Sequence, residues 1–402
     1  GWRGDPRAHP ISLSLPLAQA QHGERTLLPF LWGLLPDNAQ TLGHYARTFG
    51  VSENNPIALL THLGEDCAGA VQFVTPQRAD VVVGYPSSVG AEWIDDAEIA
   101  QELRTARQTG MPSLSPQRAG RFSLAGAQPK TALLRHNGRW ARPLGRTPTT
   151  HILKPPSPVF PGFAENEHLC LQLAQALGLR AANSTVERFE DEVAIVVERY
   201  DRLWMGQAYR RLHQEDFCQA TGVLPTKKYE SDGGPGLLSI FRLIEESSDE
   251  HEQDRQQLLD AAILNWIIGA TDAHAKNFAL LHAAGQRIRL APLYDIASYL
   301  PYDAPPWQDV RLAMRVHKEY RIKRITRHDW LRMGRKAGFH DDHIVERLRS
   351  VCARTPDALT DEAARATASG LDASAIALLA ERITTRVREC SLRIEAAGGD
   401  AT

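Results

Sequence analysis

Residues 267–277 read IIGATDAHAKN, and residues 290–295 read LAPLYD. An apolar run at 261–270 (AAILNWIIGA) has the length and spacing of a helix. It breaks into the polar stretch 271–277 and returns to an apolar, strand-like run at 278–281. Asp295 follows eighteen residues after Asn277. The pattern D-x-x-x-x-N, followed after a short hairpin by another Asp, is the spacing that phosphoryl transfer uses. In that chemistry the first Asp takes the proton of an acceptor hydroxyl, the Asn holds a metal, and the later Asp bridges metal to phosphate. An Asp and an Asn in a turn between helix and strand are also common for ordinary reasons. The third acid, at the end of the next strand, tips the reading toward chemistry. The H-R-D and D-F-G signatures are absent, so the pattern is that of a divergent kinase.

Upstream, the parts such chemistry needs occur in order. Residues 121–134 (RFSLAGAQPKTALL) place small residues between two strand-like runs. Such a turn lets backbone N–H groups approach phosphates, although alone it reads as a hairpin and matches neither glycine-rich phosphate motif. Residues 150–154 (THILK) form a strand ending in Lys154, where a kinase holds ATP phosphates and where a solvated strand-end lysine is the ordinary alternative. Residues 164–177 form an amphipathic helix closed by Gly178, with Glu165 and Glu167 in its first turn. An apolar strand at 193–197 leads into Glu198, Arg199, Tyr200 and Asp201, read as the hinge between lobes, where exposed backbone meets adenine.

The chain of 402 residues is long enough for two or three domains. Net charge is −2, so no global charge argues for nucleic acid or a membrane surface. Five cysteines lie far apart without a C-x-x-C, which argues against a zinc ribbon or disulfide scaffold and suits a reducing cytosol. There is no signal peptide and no run of eighteen apolar residues, so a cytoplasmic protein without a membrane partner is expected. A serine hydrolase is disfavoured by the lack of G-x-S-x-G. A small-molecule kinase stays open, because these parts do not specify the acceptor.

In the N-terminal part, 11–17 (ISLSLPL) alternates like a strand, 27–35 and 55–63 read as helices, and 71–74 and 81–83 read as strands. Residues 64–69 (GEDCAG) read as a turn, 95–109 as a polar helix and 112–120 as a linker. Beyond about residue 204 the chain reads as largely helical. Residues 214–221 form a helix opening with acids, and 227–236 (KKYESDGGPG) form a polar loop. Helices follow at 237–246 and 254–270, and a closing one at 374–394. Residues 311–336 hold ten Lys/Arg against Glu319 and Asp329; such a run is usually a solvated face but can meet nucleic-acid phosphates. The expected division is an N-terminal subdomain at 1–118 whose first strands lie outside the chain, a kinase N-lobe at 119–203 and a helical C-lobe at 204–402.

Across almost its whole length the chain resembles the HipA-type serine/threonine kinase toxins of bacterial toxin–antitoxin pairs. The resemblance rests on SLSLPL (12–17), GEDCAGAV (64–71), SLAGAQPKTALL (123–134), THILK (150–154), ENE (165–167), VVERYDR (196–202), QEDFCQA (214–220), KYESDGGPG (228–236), IGATDAHAKNF (268–278) and LAPLYD (290–295). It implies an α+β, two-lobed, divergent protein-kinase-like fold with a mixed N-terminal lobe and a mostly helical C-terminal lobe, using ATP and Mg2+. It implies that Asp272 is catalytic, that Asn277 and Asp295 are metal ligands, and that Lys154 binds phosphate. Ala125, Gly126, Ala127, Gln128 and Lys130 match the family's phosphate-binding loop. His274 and Lys276 lie in the catalytic loop, Tyr294 adjoins the second metal ligand, and Glu198, Arg199 and Tyr200 fall at the hinge. Ser123 matches the serine that the family phosphorylates on itself, which expels the loop and inactivates the kinase. The implied partners are a HipB-like DNA-binding antitoxin and an aminoacyl-tRNA synthetase as acceptor, with growth arrest and persistence as consequence. The alternative is a catalytically silent corepressor that binds antitoxin and DNA, the latter through the 311–336 face. The chain departs from the family pattern at Ala273, where Gly is usual, and at Pro129, where an acid is common.

Overall fold

The computed structural model describes residues 8–109, 122–126, 128–156, 160–283, 287–302 and 309–396. They form two compact units, each assembled from segments distant in sequence. One comprises Gly1–Pro158, Ser184–Thr226 and Ala279–Ile288; the other comprises Val159–Asn183, Lys227–Phe278 and Arg289–Thr402. The expected boundary at 118/119 lies outside the described residues, and the one at 203/204 falls inside the strand Arg202–Trp204.

The first unit is built on a six-stranded sheet. Its order is Ala91–Trp93, Arg139–Pro143, Thr131–His136, His151–Lys154, Glu192–Glu198 and Ser184–Phe189, with every neighbour antiparallel. The helix Asp96–Thr109 turns Ile99, Ala100 and Leu103 onto Leu133, Trp140, Leu153, Phe189 and Val196 of that sheet. Full burial of one such side chain stabilises by about 1.5–3 kcal/mol. A second core gathers Phe30, Leu34, Leu35, Leu59, Leu60 and Leu63 from the helices Glu24–Gly33 and Pro56–Leu63 and their ends. The latter helix is capped by Asn55, whose Oδ1 accepts the Ala58 N–H at 3.1 Å.

Several expectations for this unit are corrected. Residues 11–17 form turns, not a strand, because the alternation is supplied by serines whose hydroxyls leave the segment: Ser12 and Ser14 both donate to the Gln219 carbonyl, at 3.2 and 2.8 Å. Residues 76–82 form a helix with Pro76 at its first turn, where proline is favoured. Residues 64–69 are more than a turn, since Asp66–Cys67 is a buried strand paired in parallel with Phe122–Ser123. Farther on, the expected helix at 214–221 starts only at Phe217, where Asp216 and Gln219 form a capping box; His213–Asp216 is a strand paired with Ala279–His282.

The second unit is mostly helical. The helix His251–Ile268 is buried without interruption from Gln257 to its end, with Asp260 and Asn265 among its apolar residues. Around it pack the helices Phe163–Ala176, Leu237–Ser247, Asp341–Ala368 and Ala373–Glu395. The Trp266 and Trp330 rings meet with centroids 5.7 Å apart. The Trp266 indole and Arg386 guanidinium both donate to the Ile322 carbonyl, at 3.0 and 2.6 Å. Residues 227–236 are not wholly irregular: Pro225–Lys227 and Glu230–Asp232 are 3-10 turns. Among the described residues no helix is long and apolar enough to cross a membrane.

Candidate active site

The catalytic-loop motif begins where the central helix stops. Gly269 ends that helix at φ +63°, and a Cβ there would lie 2.7 Å from the Leu300 Cδ2. The loop is then tied to itself. The Asp272 carbonyl accepts the His274 N–H at 2.8 Å and the Asn277 Nδ2–H at 2.7 Å. The Asn277 N–H donates to the His274 carbonyl at 2.9 Å, closing the 3-10 turn Ala275–Asn277. His274, Lys276 and Asn277 are buried, whereas the Asp272 side chain is 66% exposed. The loop thus keeps one carboxylate outside. With its Nδ2 spent on the loop, Asn277 offers its Oδ1 as a ligand atom. His274 Nε2 stands 3.9 Å from the Asp272 Oδ1, and the Tyr229 hydroxyl donates to the same oxygen.

Asp295 lies in a segment pinned on both sides. Before it, the Leu290 N–H donates to the buried Asp254 carboxylate at 2.7 Å, and Leu293 exchanges backbone hydrogen bonds with Arg180 and Ala182, each 2.8 Å. After it, Asn166 grips Ser298 as a backbone would: its Oδ1 accepts the Ser298 N–H at 2.9 Å and its Nδ2 donates to the Ser298 carbonyl at 2.7 Å. The Ser298 hydroxyl donates to the Ile268 carbonyl at 2.5 Å, and the Tyr299 N–H to the Gly269 carbonyl at 3.0 Å. Asp295 itself adopts φ +57°. That left-handed conformation costs a non-glycine residue roughly 1–2 kcal/mol and persists where the surroundings over-determine it. The Tyr294 hydroxyl donates to the Lys276 carbonyl at 2.7 Å, so the two halves of the motif are joined. An amide oxygen and a carboxylate are hard donors. They suit Mg2+, which takes one or two protein ligands and fills its other positions with water and phosphate.

In the sheet unit, Lys154 closes its strand opposite Ile195 and is buried. Ser123 is buried in its short strand, its hydroxyl donating to the Leu34 carbonyl at 2.6 Å. Beyond it Gly126 has φ +107°, and its carbonyl accepts the Asp37 N–H at 3.2 Å. The Lys130 ammonium folds back to the Ala125 carbonyl at 2.8 Å, and a Cβ on residue 126 would lie 2.5 Å from that nitrogen. Gln128 is half-buried, and Ala127 lies outside the described residues. Glu198 ends its strand exposed, and Tyr200 donates its hydroxyl to the Gln214 amide oxygen.

Arg199, expected at the hinge, turns its side chain into the interior. Its N–H donates to the Thr150 carbonyl at 2.9 Å, and its guanidinium donates to Asp201, the Thr149 hydroxyl and the Cys67 carbonyl. Its donors belong to the fold, in a buried network. There Asp66 accepts from Thr149, Arg202 and Arg211, while Asp201 accepts from Arg199 and the Gly69 N–H. Burial alone would raise the Asp66 pKa, but the Arg202, Arg211 and Arg199 guanidiniums and the Thr149 hydroxyl hold it well below the carboxylate range. Sequence reading passed over Asp66; its place inside a stretch shared with a family was the available signal. It also passed over Tyr229, which sits in another such stretch.

The chain matches the family model described as HipA-like C-terminal domain over residues 122–359 and that of the HipA N-terminal domain over residues 1–74. It is 37% identical to the Sinorhizobium fredii protein Y4mE over 359 residues, covering 89% of this chain and 84% of that one. It is 28% identical over 368 residues to the serine/threonine-protein kinase toxin HipA of Shewanella oneidensis, covering 88% and 80%. Among solved structures it resembles one of the Shewanella oneidensis MR-1 toxin–antitoxin complex of HipA, HipB and its operator DNA. There the TM-score is 0.81 at 26% identity, over 97% of this chain and 90% of that one. With its α+β kinase-like fold and both family domains in place, the chain belongs to the HipA family of kinase toxins.

Proposed function

We propose that the protein is an ATP-dependent serine/threonine protein kinase that arrests growth. The reading is carried by one observation: the loop that holds Asp272 outside and Asn277 inside is joined, through Tyr294 and Lys276, to the strained Asp295. Asp272 orients the acceptor hydroxyl and takes its proton as the γ-phosphoryl group leaves ATP. Asn277 and Asp295 hold the metal through oxygen. Mg2+, when bound, neutralises charge on the phosphate oxygens. Lys154 and the loop of Ala125, Gly126, Ala127, Gln128 and Lys130 engage the phosphates, and Glu198 and Tyr200 adjoin the adenine. Positioning and charge neutralisation supply most of the rate.

Ser123 is the self-modification site in this reading. Its hydroxyl is buried on the Leu34 carbonyl, so a phosphoryl dianion there cannot keep that contact. The strand Phe122–Ser123 must leave its pairing with Asp66–Cys67, carrying the loop with it. Incubating the purified chain with ATP and Mg2+ and measuring intact mass tests both claims. One added phosphoryl group, mapping to Ser123 and absent from Asp272→Asn, is expected; transfer retained by Asp272→Asn sinks the assignment.

The acceptor in the cell is proposed to be an aminoacyl-tRNA synthetase, and the protein partner a HipB-like antitoxin, as the complex with HipB and operator DNA suggests. Direct DNA contact through 311–336 is the second role. Several cations of that face are already engaged: Arg315 with Glu230, Arg335 with Asp341, and Arg311 over the Tyr320 ring. Its effective charge is therefore smaller than the sequence count. Salt-sensitive operator binding by the antitoxin complex, weakened by charge removal at Arg321, Lys323 and Arg324, is the outcome that supports it.

A further inference from the structure

An exposed carboxylate on a turn would ordinarily rotate freely, yet Asp272 is held by a phenol. The Tyr229 hydroxyl donates to the Asp272 Oδ1, and the Tyr229 ring stands edge-on to His274, centroids 5.1 Å apart at 80°. Tyr229 is in turn fixed by its own loop. The Asp232 and Gly234 N–H groups both donate to the Tyr229 carbonyl at 3.0 Å. A Cβ on Gly234 would lie 2.0 Å from the Lys227 carbonyl oxygen, so only glycine closes this fold-back. The neighbouring Glu230 accepts the Arg315 N–H at 2.8 Å and pairs with its guanidinium at 2.9 Å, tying the loop to the strand Arg311–Val316. The order of parts is Arg315, Glu230, Tyr229, Asp272: a structural ion pair at one end and the candidate base at the other.

Resting on the kinase reading above, we infer that Tyr229 is a positioning residue for Asp272. Its phenol selects one carboxylate rotamer, holding Oδ1 so that Oδ2 meets the acceptor hydroxyl. Tyr229 itself takes no proton and touches no reacting atom.

The test compares Tyr229→Phe, which keeps the ring on His274 and drops the hydroxyl, with Tyr229→Ala in the full chain. Self-phosphorylation is followed by intact mass across ATP concentration. The expected result for Tyr229→Phe is a rate at saturating ATP lowered roughly 10- to 100-fold, the range a charge-assisted hydrogen bond carries. The KM for ATP and the thermal midpoint stay unchanged. A faster Tyr229→Phe would mean that the phenol competes with the acceptor, and it overturns the inference. So does a Tyr229→Phe variant equal to wild type beside an impaired Tyr229→Ala, which would reduce the role to ring packing. A second readout needs no catalysis: the carboxyl 13C chemical shift of Asp272 at neutral pH, assigned by its loss in Asp272→Asn. It must move in Tyr229→Phe, and an unchanged shift rejects the contact. A wild-type chain that transfers no phosphate while passing this chemical-shift test defeats the kinase reading and leaves the Tyr229 contact standing.

Discussion

Asp272 and Asp66 are the same residue type put to opposite uses. Asp272 stands two-thirds exposed, held by one phenol and by the hydrogen bonds of its own loop. Asp66 is buried among three guanidiniums, and every oxygen has a donor. The contrast shows what each site asks of an aspartate. A carboxylate proposed to meet a substrate is kept outside by a loop bound mainly to itself. A carboxylate that must hold a fold together is sunk where it cannot leave its partners. Removing the first should cost rate and no stability; removing the second should cost stability first.

The largest expected effect is therefore on transfer in Asp272→Asn, a loss of roughly 10²- to 10⁴-fold with the urea midpoint unmoved. A clear fall in that midpoint would show that Asp272 shares the structural role of Asp66 and would break the comparison. Next, Asp66→Asn keeps the shape and drops the charge, leaving Arg199 and Arg202 on Asp201 and taking from Arg211 its ion-pair partner. Breaking such a buried network costs about 3–5 kcal/mol, read as a lowered urea midpoint. A loss under about 1 kcal/mol, the scale of an exposed pair, would mean the cluster is no more than surface-like.

Acid sharpens the same distinction. Burial pushes His213 down to about 4, with His282 and His9 adding to the effect against the Ile11 carbonyl and Glu215, which oppose it. Burial likewise pushes His151 down to about 4, helped by Arg135 and opposed by Glu198 and Glu187. Both folded values lie below the unfolded one of about 6.5, so their stabilisation is complete above that pH and is lost as pH falls toward 4. The expected loss is on the order of 2–3 kcal/mol per histidine across that window. Asp66 keeps its charge throughout it, so the slope should flatten in His213→Gln. An unchanged slope in that variant would assign the acid sensitivity elsewhere. The smallest effect is expected at a cap: Asn55→Ala should cost about 1 kcal/mol, measured by thermal unfolding, with transfer untouched.

What was legible in the sequence follows the same line. The loop carrying Asp272 binds partners two to five residues away, so its meaning is contained in a short motif with a second acid at a readable distance. The helix that delivers it was legible too, because 261–270 is apolar except at Asn265. Asp66 was not, because its partners Thr149, Arg202 and Arg211 lie more than eighty residues away and no local period announces them. The serines of 12–17 mimic a strand's alternation for a similar reason, their acceptor being the Gln219 carbonyl. Tyr229 lies forty-three residues from the carboxylate it serves. The strand ending in Lys154 and the turn after Ser123 appear as local structure where the sequence put them, while Arg199, read at the hinge, has its guanidinium donors in the interior.

The sheet unit takes in Ala279–Ile288 after a long excursion through the helical one. Its strand Ala279–His282 pairs with His213–Asp216, and the His282 imidazole meets the buried Glu215 at 2.9 Å. On a ribosome, that unit cannot be finished when its first two hundred residues emerge. It must wait, with Glu215 lacking its His282 partner, until the motif bearing Asp272 and Asn277 has been synthesised. Any nascent chain released before residue 282 would carry an open sheet edge beside that acid, which makes it a substrate for proteases.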